Sequence, residues 1–101
     1  MTGVSGNMPP RRSKLEIMLT VLSAVRDGEG KPTKIMYAAN LSWVPTQMIL
    51  SDMVEQGLLI RREYPERKRS KTRYEISEKG IRILDYFEKA EDVIGIDLIS
   101  P

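Results

Sequence analysis

Two residue types are missing from this chain of 101 residues, and each absence removes a class of function. Without cysteine there is no disulfide framework, no thiolate nucleophile and no thiolate metal ligand. Without histidine the usual general base at neutral pH is gone, together with the other common zinc ligand. These absences weigh heavily against a triad hydrolase and a zinc finger, and no other nucleophile–base pair offers itself, so the chain is expected not to be an enzyme. No uninterrupted apolar run approaches the roughly 20 residues of a membrane span. The opening MTGVSGNMPPRR also lacks the apolar stretch of a secretory signal, so a cytoplasmic protein with no membrane partner is expected. Asp27 with Glu29 and Glu91 with Asp92 are carboxylate pairs, but no ligand cluster surrounds them. They read as a solvated turn and a polar helix end, and no metal, cofactor or small-molecule substrate is expected.

What the chain does have is positive charge in one place. Arg61–Arg73, RREYPERKRSKTR, holds seven Lys/Arg against Glu63 and Glu66, a local charge of +5 on a chain whose total is +2. The remainder is therefore net acidic, and the stretch from Asp85 to Asp97 carries five acids against Lys89 alone. A basic segment framed by apolar residues is the electrostatic footprint of a protein that meets polyanions. The length allows one domain with a single modest core.

Residues 1–12, with Gly3, Gly6, Pro9 and Pro10, are expected to form a disordered arm. Ser13 followed by Glu16 is a capping-box signal, and Leu15, Met18, Leu19, Leu22 and Val25 then recur at helical spacing, widened by Ile17 and Val21. Asp27-Gly28-Glu29-Gly30 ends that helix. Lys31-Pro32 suits a very short edge strand, and Thr33 a cap for a second helix over Lys34–Asn40 with Ile35, Met36 and Ala39 packed. A turn at Asn40-Leu41-Ser42 leads to a third helix, capped by Ser42 or by Val44 and ended by Gly57. Its inward face is Thr46, Ile49, Leu50, Met53 and Val54; Val44, Gln47, Met48, Ser51 and Glu55 lie opposite. Two helices joined by a tight turn make a helix-turn-helix. The next run places Leu58, Ile60, Arg62 and Tyr64 on one strand face, and Thr72–Ile76 alternates with Tyr74 and Ile76 inward. Ser77 caps a last helix to about Val93. Tyr37, Tyr64 and Tyr74 are expected in or beside the core, and Trp43 is read as packing at a helix start.

The segments RRSKLEIMLTVL, TKIMYAANLSW, MVEQGLLIRR and TRYEISEKGIRIL together resemble the archaeal winged-helix DNA-binding family, from Ser13 to about Ala90. The resemblance implies an α+β, mostly α, winged helix-turn-helix of three helices and a two-stranded wing, with an additional C-terminal helix. The domain would span 13–77, the extra helix 78–94 and a tail 95–101. It also implies a binder of double-stranded DNA, a transcriptional regulator or chromatin-type protein, acting as a homodimer. Small members of that family dimerise through a C-terminal antiparallel coiled coil.

A helix fits the major groove of B-DNA, and a basic hairpin beside it can track phosphates. Arg67, Lys68, Arg69, Lys71 and Arg73 on the wing are the expected phosphate contacts, with Arg11 and Arg12 on the arm and Lys34 near the second helix. Base reading falls to Val44, Pro45, Gln47, Met48 and Ser51, a set with few hydrogen-bonding groups, so modest sequence specificity is expected. The alternative is a winged-helix protein-interaction module of a transcription complex, using the apolar face of that same helix. On the last helix, Ile81 and Leu84 suit the domain core, while Ile83, Phe87, Ala90 and Ile94 form a second stripe for a dimer interface.

Overall fold

The computed structural model describes residues 13–97 and Ile99. Its elements run α1 (Lys14–Arg26), α2 (Pro32–Ala39), α3 (Trp43–Glu55), β1 (Leu59–Glu63), β2 (Thr72–Ile76) and α4 (Glu78–Ile94). This is the expected winged helix: three helices, a two-stranded antiparallel hairpin, and one further helix. The arm at 1–12 lies outside the described residues.

The helix ends follow local chemistry. Ser13 and Glu16 form the reciprocal capping box at α1, each side chain accepting from the other residue's backbone N–H. α1, α2 and α3 then terminate by one device. One or two residues past each helix, Gly28, Asn40 or Gly57 takes a positive φ, and the next residue's N–H reaches back to a carbonyl of the last turn. α2 begins earlier than Thr33. Pro32 occupies the first helical position, where its missing N–H costs nothing, so Lys31 stands at the cap without a side-chain bond. No strand forms at Lys31-Pro32; the contact expected there is a single bond from the Tyr74 N–H to the Gly30 carbonyl at 2.8 Å. The backbones approach so closely that a Cβ on Gly30 would lie 2.5 Å from the Tyr74 carbonyl oxygen. For α3, Ser42 is the cap, its carbonyl accepting from the Thr46 N–H and hydroxyl.

The core is built from Leu19, Val21, Leu22 and Val25 of α1, Ile35 and Ala39 of α2, Ile49, Leu50 and Met53 of α3, Leu58, Leu59 and Tyr74 of the wing root, and Leu84 of α4. The β1 face differs from the alternation expected. Leu59, not Ile60, points inward, because Leu58 belongs to the turn that ends α3. Its N–H bonds to the Met53 carbonyl and its side chain folds under the helix, as the residue after an αL cap commonly does. The strand starts one residue later, and Leu59, Arg61 and Glu63 lie opposite Ile76, Tyr74 and Thr72. Tyr74 is core as expected; Tyr64 is half-buried, and Tyr37 is 78% exposed, against expectation.

α4 is fastened at both ends. Ser77 caps it by accepting from the Gly80 N–H, while its hydroxyl contacts the Gly57 and Leu58 carbonyls at 2.6 and 3.0 Å. Lys79 donates to the Gln56 carbonyl at the end of α3. Further along, Arg26 of α1 donates to both oxygens of Glu88 at 2.8 and 2.9 Å, an interaction that pushes the guanidinium further above its ordinary range. Leu84 is fully buried, with Ile83 and Phe87 packed against the same core, whereas Ile81 is exposed, a correction to its expected inward place. The inward arc runs through Gly80, Ile83, Leu84 and Phe87, and this rotates Ile81 outward. Ile99 of the tail returns to the core. Its N–H donates to Glu91 and its carbonyl accepts from the Thr20 hydroxyl.

Gly80→Ala tests the junction of wing and α4. The added Cβ would press on the Leu58 carbonyl oxygen, with Ile76 Cγ1 at 2.9 Å. Chemical denaturation should show a loss of about 1–3 kcal/mol, the usual cost of overpacking. An unchanged midpoint would mean that the close approach is absent.

Candidate nucleic-acid interface

The wing sorts its cations into two groups. On the strands, Arg61 pairs with Glu63 at 2.6 Å and Arg62 with Glu75 at 3.2 Å. Arg62 and Arg73 face each other directly across the hairpin, a like-charge pairing that disfavours closure unless countered, and Glu75 supplies the counter-charge. The remaining cations have few acids near them in sequence, with Glu66 alone between the two strands. Arg67, Lys68, Arg69, Lys71 and Arg73 make no ion pair among the described residues. All but Arg73 are exposed, and Arg73 is half-buried.

The loop that carries them is shaped rather than slack. The Tyr64 N–H bonds to the Lys71 carbonyl at 2.6 Å, and the Arg67 N–H closes a turn on the Tyr64 carbonyl at 3.0 Å. Ser70 takes a positive φ of 54°, letting the chain return. The Arg67 guanidinium lies 4.2 Å from the centre of the Tyr64 ring, a cation–π contact that leaves its charge in place while restricting its arm.

α3 stands beside this hairpin. Gln47, Ser51, Val54 and Glu55 of α3 and Arg61 and Tyr74 of the wing line one groove. Val44, Pro45, Met48 and Ser51 are exposed, as a groove-facing side requires, with Val44 and Met48 at 64% and 65%. Gln47 is half-buried at the edge of that face, and its Nε2 is enclosed without a hydrogen-bond partner among the described residues. Trp43 is about half-exposed at the start of α3.

A second hollow adjoins the wing, and this one is basic. Lys31, Lys34 and Arg73 line it with Gly28 and Glu29, and Lys34 sits 3.8 Å from Glu29. Sequence reasoning named Lys34 and Arg73 but missed Lys31, because Lys31-Pro32 was read as strand. Arg11 and Arg12 lie outside the described residues. On α4, Ile83 and Phe87 lean on the chain's own core and Ala90 is half-buried, while Ile94 is exposed. The free apolar groups beside them are Tyr86 and Val93, at 68% and 84% exposed, which the sequence stripe did not include. Among the described residues no group of acids is placed to hold a metal ion, and no helix is long and apolar enough to cross a membrane.

Comparison with known proteins places this geometry. The sequence model of the winged helix-turn-helix family matches residues 11–95. An uncharacterized protein of Methanocaldococcus jannaschii is 29% identical over 73 residues, covering 72% of this chain and 67% of that one. Among solved structures, Sso10a-2, a DNA-binding protein from Sulfolobus solfataricus, superposes with a TM-score of 0.61 at 26% identity, covering 82% of this chain and 85% of that one. A MepR–DNA complex from S. aureus gives 0.62 at 16% identity over 82% of this chain and 58% of that one, a likeness of fold.

Tyr74 forms the floor between the wing and α3, and burial raises its phenol above the ordinary value, with nearby Arg61 opposing and Glu63 reinforcing. A pKa raised on folding stabilises fully below the unfolded value, about 10, and the stabilisation is lost as pH climbs through the folded value. The fall in stability between pH 9 and 11 should therefore be shallower in Tyr74→Phe than in the parent, as read from denaturation midpoints. Parallel declines would rule out that contribution.

Proposed function

This chain belongs to the winged helix-turn-helix family, and from that premise we propose that it binds double-stranded DNA as a homodimeric transcriptional regulator or chromatin-associated protein. The observation that carries the proposal is the set of five wing cations that make no ion pair among the described residues, on a hairpin whose strands share a groove with α3. Exposed charges left without partners add little to stability, whereas each one that meets a phosphate releases a condensed counterion. α3 enters the major groove. Arg67, Lys68, Arg69, Lys71 and Arg73 hold the flanking phosphates, with Lys34 and the added Lys31 at the start of α2. Arg11 and Arg12 extend the same contact into a minor groove. That the Sulfolobus relative is described as DNA-binding, and that MepR was solved on DNA, supports this reading.

The second copy docks on α4. Ile83, Tyr86, Ala90 and Val93 recur at the three-and-four spacing of a two-helix seam, flanked by Phe87 and Ile94. A two-fold interface uses this one patch twice. The acids of α4 keep that end from the duplex, so the wings of the pair face the DNA while the α4 helices face each other.

Gel shift of a duplex at several salt concentrations tests the contact. With about four to six phosphates neutralised, log K should fall with log salt at a slope near −4 to −5. Replacing Arg67, Lys68 and Arg69 together by Ala should weaken binding at least tenfold and flatten the slope by about 2 to 3. Equal affinity and slope would remove the wing from the interface. Sedimentation of Val93→Asp tests the seam, since this exposed side chain contributes nothing to the domain core. The variant is expected at monomer mass, and an unchanged dimer mass would move the interface elsewhere.

A further inference from the structure

The outward side of α3 has an unusual chemistry for a helix in a DNA groove. Trp43–Glu55 contains no Lys, Arg or Asn, so the side chains that form paired bonds with guanine are missing, and so is one of the two that do so with adenine. The other, Gln47, is turned to the wing edge with its amide nitrogen enclosed. What reaches furthest out near the start of the helix is apolar. Val44 and Met48 stand one turn apart on the same side, and Pro45 is exposed next to Val44.

Apolar groups laid against the polar edges of bases leave donors and acceptors without partners, which costs affinity. The major groove offers one apolar feature, the C5-methyl group of thymine. A methylated cytosine presents the same group at the same ring position. We propose that Val44, Pro45 and Met48 read pyrimidine C5-methyl groups in the major groove, making this chain selective for thymine-rich or C5-methylated duplex. The inference rests on the DNA-binding reading above and adds the chemistry of what is read. Charge supports nucleic acid rather than a protein as the occupant. The face borders the wing across the groove holding Gln47, Ser51, Glu55 and Arg61, where the two charges offset each other, and beyond it the wing carries five cations with no ion pair among the described residues. Ser51, on the next turn, supplies a hydroxyl that accepts or donates and so tolerates any neighbouring base.

The test uses matched duplexes at one salt concentration: alternating dA/dT, the same sequence with deoxyuridine for thymidine, alternating dG/dC, and its C5-methylcytosine form. The parent chain is compared with a Val44→Ser, Met48→Gln double variant. Each methyl group covered should contribute about fourfold in affinity, the factor equivalent to ~0.8 kcal/mol of apolar burial. The parent is expected to bind the thymine duplex about tenfold more tightly than the uracil duplex, and in the double variant this ratio should collapse toward one. A matching gain on methylated cytosine would assign recognition to the methyl group in either base. A gain confined to the thymine pair would assign thymine as its source. Equal binding of the thymine and uracil duplexes by the parent overturns the inference and leaves the DNA-binding reading intact. So does a ratio retained in the double variant, which would trace the preference to duplex shape. If the parent binds none of the four, the DNA-binding reading itself fails.

Discussion

The Leu58 carbonyl is where the parts of this protein are held together. α3 ends at the turn through Gly57, β1 begins at Leu59, and α4 starts at Glu78; all three meet at this one oxygen. It accepts from the Ser77 N–H at 3.1 Å and from the Ser77 hydroxyl at 3.0 Å, while Gly80 packs against it without a Cβ. Lys79 adds a bond to the Gln56 carbonyl next door, placing a cation at the negative end of the α3 dipole. A two-stranded hairpin alone is marginal in water. This hairpin is fixed because its root is hydrogen-bonded into two helix ends and its inner face, Leu59 and Tyr74, is buried on the core.

That anchorage allows a tip that contributes little to folding. Arg61, Arg62, Glu63 and Glu75 pair on the strands, and pairs as exposed as these are typically worth only 0–1 kcal/mol. Past Tyr64, Glu66 is outnumbered by Arg67, Lys68, Arg69 and Lys71, and the mutual repulsion of these cations is a small cost carried by the folded hairpin. The Tyr64–Arg67 stack and the bond between Tyr64 and Lys71 give the tip a shape without neutralising it.

The elements were readable in the sequence wherever one local rule governed. The Ser13/Glu16 box, the glycines after α1 and α3, the Ser77 cap and the alternation of Thr72–Ile76 stand as expected. The misreadings arose where two rules competed for one residue. Leu58-Leu59 gives two buried leucines in a row, one claimed by the helix-ending turn and one by the strand, so a strand face drawn from Leu58 comes out inverted. Lys31-Pro32 suits an edge strand and a helix start equally, and geometry chose the second. On α4 the apolar residues are spread over more than one side, so spacing alone does not tell which arc turns inward. The close fit of Gly80 on the wing root settles that rotation, and it depends on a contact distant in sequence. Ile99 gave no periodic signal at all, because its burial comes from a chain reversal after Gly95 and not from a helix or strand.

The return of Ile99 also bears on which face of α4 remains free. Its side chain joins the core, and its backbone is tied to Thr20 of α1 and Glu91 of α4, so Ile99 bridges these two helices. Arg26 and Glu88 close the same side nearer the middle of α4. With that flank taken, the apolar side chains still open to solvent are Tyr86, Val93 and Ile94, on the far arc, and Ile81 near the start of the helix. Tyr86 packs edge-on against Phe87, which in turn rests on the core, so an exposed ring is held in position by a half-buried one. A partner helix laid on this arc would touch side chains already backed by the domain interior. Any such pairing therefore fixes the orientation of the two cores, and through the Leu58 junction the spacing of the two wings.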